Sequence, residues 1–412
     1  MTHQSRRMPA LLLAAACLSA LVLAACQRKG IEELVSTELY SLSMGKLEDQ
    51  IDLFQFEDAM STRMNSIFMR DGWFYVANGS SSKIMVFSSY GDLIYLLYNP
   101  QTNPVPTLLG PVDQNAADTV TTRGSVAYPF TDIGRIAVAS DRTLYVEDAV
   151  ADAMAVKDND QGILRSRVIL RFDRKGKVLP ALGEEGIGGA PFPFIFALHV
   201  TASDQLVVVC RLPTRWQVFW YSRDGAPLYR VDIGNANLPV KPKAGQTPVL
   251  IDIVPDLQSP LLYLIIDSYT DVAGPASGSS APADAVVAGA YKLDLRTQSY
   301  SANPIVFPQN PEHRTRDGLK TVRIPAPPSD FLGVSTSGYF YLLAATDNNL
   351  YTLQILDRNG RLAAQRRVVI EDSELAFRDL HLDSNGILYG LMADRTRARI
   401  ALWRSDLMLK GK

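Results

Sequence analysis

Phe74-Tyr75-Val76-Ala77-Asn78-Gly79-Ser80-Ser81-Ser82-Lys83-Ile84-Met85-Val86-Phe87-Ser88-Ser89-Tyr90-Gly91 decides the fold. Two runs of β-branched, aromatic and aliphatic residues, each too short for a helix, flank a polar turn, and a second turn ends in glycine. That pattern reads as two adjacent antiparallel strands and the start of a hairpin to a third. The opening pair recurs downstream as Leu144-Tyr145, Leu206-Val207, Leu262-Tyr263, Phe340-Tyr341 and Leu388-Tyr389. In each copy the following strand ends on a bulky residue: Phe87, Phe172, Tyr221, Leu293, Leu356 and Trp403. Glycine closes the next turn in Asp173-Arg174-Lys175-Gly176, Ser222-Arg223-Asp224-Gly225 and Asp357-Arg358-Asn359-Gly360, where a tight hairpin needs positive φ. The fourth copy has Thr297 there, and the sixth is degenerate.

A further strand precedes each unit, as in Ile136-Ala137-Val138 and His199-Val200, and another follows the glycine turn, as in Leu93-Ile94-Tyr95-Leu96. Six units of four short antiparallel strands predict an all-β, six-bladed β-propeller in a single domain over residues 38–412. The last unit runs out after Trp403, with Leu407-Met408-Leu409 remaining. An incomplete blade would expose unpaired backbone groups along its edge. Residues 38–56, with strand-like pieces at Leu39-Tyr40-Ser41-Leu42 and Ile51-Asp52-Leu53-Phe54, are expected to supply the missing outer strand. The first-to-second and third-to-fourth turns are short, whereas the insertions at 99–132, 148–163, 181–193, 234–249, 268–288 and 306–329 fall in the other two classes of connection. Connections alternate between the two ends of an antiparallel blade, so all of these insertions are expected on one face of the ring.

The spacing between the Tyr75-Val76-Ala77 strand and Lys83-Ile84-Met85-Val86-Phe87 resembles that of NHL-repeat propellers. Gly183-Glu184-Glu185-Gly186 through Phe192-Pro193 is similar to the glycine-rich approach into such a repeat. The resemblance covers about two repeats and implies a six-bladed ring used mainly as a binding platform, with enzymes a minority. It transfers no catalytic residue.

Ahead of the ring, Arg6 and Arg7 precede an apolar stretch from Leu11 to Leu23, and Gln27-Arg28-Lys29 follow Cys26. This is the layout of a secretory signal over residues 1–25 rather than of a permanent span. Leu23-Ala24-Ala25-Cys26 resembles a bacterial lipobox, which implies cleavage before Cys26 and acylation of its sulfur. Cys26 is therefore the expected lipid anchor, residues 26–37 the tether, and the membrane a partner through that lipid. The Gln27 that follows, in place of aspartate, is similar to outer-membrane lipoproteins. About a dozen residues between Cys26 and Leu39 would reach roughly 40 Å at most.

The chain of 412 residues is 47% hydrophobic and 20% charged, enough apolar material for a large core. Without the leader it carries 39 basic and 43 acidic residues, a net of −4, which gives no basis for nucleic acid as a partner. Three cysteines exclude a disulfide-stapled scaffold, and four histidines leave little for a histidine-based metal site. His199 and His381 fall at equivalent places in the innermost strands of repeats three and six, which face each other across the ring. They are candidate channel-side residues, and the plain alternative is a pair of neutral histidines hydrogen-bonded within blade packing. His313 reads as a loop residue, and Cys210 as a small core residue.

Asp158-Asn159-Asp160-Gln161-Gly162 misplaces the glycine of a calcium loop and has Ile169 where a bidentate glutamate belongs. Gly183 to Gly189 lacks the Lys-Ser/Thr of a phosphate loop, and Gly274 to Pro282 reads as a flexible loop or a disordered insertion. No nucleophile elbow or paired-histidine zinc motif is present. No catalytic residue, metal ligand or cofactor is assigned. The expectation is a lipid-anchored, non-enzymatic propeller binding a protein or glycan in the cell envelope. The alternative is a metal-dependent hydrolase of the lactonase-like six-bladed type, which needs carboxylates and amides converging on the channel.

Overall fold

The structure, a computed structural model, describes residues 31–54, 63–113, 123–157, 162–241, 246–270, 285–310, 313–317, 320–324, 328–347 and 350–409. It is a ring of six antiparallel blades, and the helical segments among these residues are 3-10 turns of three to five residues. The innermost strands are Asn65–Arg70, Ile136–Val138, Ile195–Val200, Gln246–Pro255, Asp330–Val334 and Phe377–Leu382. Contacts between the first and sixth of these close the ring.

The repeat pattern is the strand register. Phe74 pairs with Phe87, Leu144 with Phe172, Leu206 with Tyr221, Leu262 with Leu293, Phe340 with Leu356 and Leu388 with Trp403. All twelve side chains are buried, in clusters shared between neighbouring blades. The hairpin glycines Gly91, Gly176, Gly225 and Gly360 all have positive φ. In blade four, which lacks the glycine, Gln298 takes the left-handed conformation instead at φ 52°.

The sixth blade is completed by the N-terminal strand Thr37–Ser43, antiparallel to Arg397–Trp403. Ser405–Leu409 forms a 3-10 turn, not a closing strand. The second piece expected to be a strand, at 51–54, forms no ladder; Ile51 folds back on Ser43 and Gly45. Leu42, Ile51 and Leu53 are buried between blades six and one, worth roughly 6 kcal/mol between them at about 2 kcal/mol each. The polar side of this seam is tied to blade one. Lys83 lies wholly inside, and its Nζ donates to the carbonyls of Lys46 and Leu47 at 3.2 and 2.5 Å. Asn78 exchanges hydrogen bonds with the backbone of Asp52 at 2.9 and 2.6 Å. The Glu48 carboxylate accepts from the N–H groups of Thr107, Leu108 and Leu109.

The chain joins the ring earlier than a tether over 26–37 implies. Leu34 N–H donates to Arg367 O at 2.8 Å and Arg367 N–H to Glu32 O at 2.9 Å, which lays Glu33 parallel to the outer strand of blade five, Leu362–Val369. Glu32 and Glu33 pair with Arg366 and Arg367 at 2.7 and 3.3 Å. A dipeptide-scale contact of this kind leaves no periodic signal in the sequence. The leader and Cys26 lie outside the described residues.

The connections differ from the expected layout in three places. Blade one gains a fifth strand, Gly124–Ala127, parallel to Leu93–Tyr98. The insertion at 268–288 is narrower, because Leu261–Thr270 and Ala285–Asp294 stay paired as far as Tyr269 and Ala285. His313 is not in a loop but begins the ribbon His313–Asp317 with Lys320–Ile324. Residues 158–161 of the calcium-like segment and the whole of the Gly274–Pro282 stretch lie outside the described residues.

Candidate functional site in the central channel

The six innermost strands surround a cavity of about 520 Å³ on the ring axis. Pairing defines its levels. The second residue of each repeated dipeptide (Tyr75, Tyr145, Val207, Tyr263, Tyr341, Tyr389) faces Phe68, Ala137, His199, Val254, Gly333 and His381 on the innermost strand. His199 and His381 are thus at one level, on blades three and six, and both line the cavity.

Two residues earlier on each strand the level reads Ser66, Arg135, Ala197, Asp252, Phe331 and Asp379. Blades two, four and six supply its charges. In a six-membered ring these blades are a third of a turn apart, so Arg135, Asp252 and Asp379 converge on the axis at one height. Arg135 feels the charge of both carboxylates.

Arg135 is held from behind. Its N–H donates to the Glu147 carboxylate at 2.9 Å, its Nε donates to the carbonyl of Phe196, and its guanidinium lies over the Phe196 ring. Gly134 is required beside it, because a Cβ there would stand 2.3 Å from Glu147 Oε2. Asp379 accepts from Ile67 N–H at 3.1 Å and lies 2.9 Å from His381 Nε2, in an ion pair off the ideal hydrogen-bond axis. The His381 ring stacks on Tyr389. The His381 side chain lines the channel and is 42% exposed to it.

These surroundings set protonation. Burial pulls the His381 imidazole down, but the Asp379 carboxylate beside it outweighs that and raises its pKa. Burial lifts Asp379, and the same His381, with Ile67 N–H, holds the carboxyl below its usual value. His199 has no such partner. Its Nε2 is buried and unpaired, and desolvation, with the charges of Arg135 and His381, lowers its pKa to about 4. Asp252 receives a hydrogen bond from the N–H of Ile253 at 2.7 Å; burial outweighs that bond and Arg135 and lifts its pKa to about 6. Near neutral pH the channel presents a fixed cation, a readily protonated carboxylate, a neutral imidazole and a histidine paired with a carboxylate. Half-buried rings of Phe196, Phe331 and Phe377 complete the lining.

The candidate histidines therefore share the channel and are not both satisfied within blade packing. Arg135, Asp252 and Asp379 were missed by reading residue types alone. The signal that locates them is their place two residues ahead of the histidine level. Cys210 is buried in the core, where desolvation raises its thiol pKa well above the usual value. The donor set does not suit a metal ion. Among the described residues no group of three or more His, Cys, Asp or Glu side chains is arranged to hold one, and Arg135 places its charge at the level of the two carboxylates.

No family model matches the chain, and no curated protein matches it in sequence. Among solved structures the chain is similar to an ulvan lyase from a new polysaccharide lyase family (8% identity, TM-score 0.43, covering 89% of this chain and 96% of that one). It is also similar to the β-propeller domain of Nup133 from Vanderwaltozyma polyspora (11%, TM-score 0.37, 91% and 95%) and to a putative gluconolactonase (10%, TM-score 0.39, 91% and 93%). These similarities carry no residue's role across.

Proposed function

We propose that this protein is a lipid-anchored propeller of the bacterial cell envelope that binds a partner without transforming it, with the partner a glycan whose end enters the central channel. The lipobox resemblance at Cys26 supports the anchor. The observation that carries the binding reading is the single level formed by Arg135, Asp252 and Asp379 beneath His199 and His381. Charged donors and acceptors interleaved with phenyl faces match a polyhydroxyl ligand, whose hydroxyls exchange hydrogen bonds and whose C–H faces pack on rings. An anionic ligand would meet two carboxylates, and a cation would meet Arg135. The hydrolase alternative has no metal-ligand set to rest on among the described residues.

The test is a glycan array probed with the acylated, detergent-solubilised protein. Binding to a defined saccharide set, lost at least tenfold in Asp252→Asn and Arg135→Gln, supports the reading. Saccharide binding unchanged in both variants would remove recognition from the channel. A protein recovered by crosslinking from intact envelopes, with no glycan bound, would replace the glycan by a protein partner.

A further inference from the structure

We propose that the ring is held with its short-turn face toward the bilayer, blades five and six nearest, so that the long-loop face looks away from the membrane. This rests on the reading of Cys26 as the lipid anchor.

The direction in which the chain joins the ring carries the inference. Glu33 runs parallel to Leu362–Val369, so the preceding residues come from the side where that strand begins. That strand begins at the hairpin 357–361, a third-to-fourth turn, and these turns lie on the short-turn face. The neighbouring 3-10 turn Ser405–Leu409 marks the same face. Ser405 Oγ accepts from Leu388 N–H at 2.9 Å and donates to Gly386 O in the first turn of blade six.

The tether is short: four residues stand between Cys26 and Ile31, a span of at most roughly 18 Å, which keeps the anchor close to the outer strand of blade five.

The surface at this place has the chemistry of a bilayer contact. A groove of about 420 Å³ is lined by Leu362 to Arg366 with Leu407 and Met408. Ile31, Leu362 and Leu407 are each about half exposed, and Tyr90, on the short turn of adjoining blade one, is 88% exposed. Aliphatic side chains flanked by tyrosine suit the headgroup boundary, where an apolar body meets acyl chains and a hydroxyl stays wet. Arg28 and Lys29, next to the anchor, add attraction to anionic headgroups.

The experiment places an environment-sensitive nitrobenzoxadiazole label at Leu407→Cys, at Tyr90→Cys or at Val105→Cys in the full acylated protein. Val105 is 80% exposed on a long loop, and the native Cys210 thiol is buried away from reagent. The proteins are reconstituted into phosphatidylethanolamine–phosphatidylglycerol vesicles containing doxyl lipid. Quenching at positions 407 and 90 at least threefold greater than at 105 is expected. Equal quenching at all three sites, or greater quenching at 105, overturns the orientation. Acyl labelling of wild type and Cys26→Ser is read in parallel. Absence of label on wild type removes the anchor and the orientation together, whereas label with the wrong quenching pattern overturns the orientation alone.

Discussion

The closing seam and the central channel both bury charge, and they treat it in opposite ways. In the seam, Lys83 donates hydrogen bonds to two backbone carbonyls and Glu48 accepts from three backbone N–H groups. Burial still lowers Lys83 to about 8, against the pull of Asp52, Asp49 and Glu48, but its donors are used. Among the polar atoms of this region the Tyr40 hydroxyl and Arg399 Nε are buried without a partner. In the channel, His199 Nε2 is unpaired and Asp252 is left with its neighbour's N–H. Charge that is matched holds the fold together; charge left under-matched in a cavity is available to a ligand.

The largest effect is expected from removing the seam itself. Deleting residues 38–56 takes away the outer strand of blade six and the buried Leu42, Ile51 and Leu53. The shortened protein is expected to aggregate or to lose cooperative unfolding, measured by light scattering and denaturant titration. A monomeric, equally stable product would show that the ring closes without it. Lys83→Met is expected to cost about 3 kcal/mol in urea unfolding, because it strands two carbonyl acceptors in the interior.

Channel substitutions should behave differently. The folded pKa of Asp252, about 6, lies above its ordinary 3.8, so the native state binds more protons across that window and Asp252 loses stability as pH rises through it. At pH 7 Asp252→Asn is expected to be neutral or to stabilise by on the order of 1 kcal/mol. The histidines have opposite signs. His199 titrates near 4 when folded, so its contribution is full above 6.5 and is lost as pH falls from 6.5 toward 4. The His381 pKa is raised, so its contribution is full below 6.5 and is lost as pH rises through the folded value. Urea midpoints measured against pH should flatten on the acid limb in His199→Gln and on the limb above 6.5 in His381→Gln. The smallest effect is expected from shortening 271–283, whose composition is mostly Ala, Ser, Gly and Pro with little apolar side-chain surface; a melting shift of only a few degrees is expected by calorimetry.

The same contrast explains what was legible in the sequence. Strand order and closure are written in period-two apolar runs and positive-φ turns, which are local and repeated six times, so one departure such as Gln298 does not erase them. Histidine is rare in this chain, which draws attention to His199 and His381. Arg135, Asp252 and Asp379 are three among 84 charged residues, and nothing in their type separates them from solvated surface. Only pairing register brings them to one level, and bulges at Leu250/Asp252 and Phe331/Gly333 shift that register by a residue. The early contact at Glu33 has no repeat to announce it.

The most direct test of the division between seam and channel is the melting temperature of Asp252→Asn at pH 7, measured beside Lys83→Met and paired with saccharide binding. The account predicts that Asp252→Asn melts at or above wild type while its saccharide binding falls at least tenfold, and that Lys83→Met melts well below. A fall in melting temperature for Asp252→Asn comparable to that of Lys83→Met, with saccharide binding intact, would place Asp252 among the structural charges and contradict it.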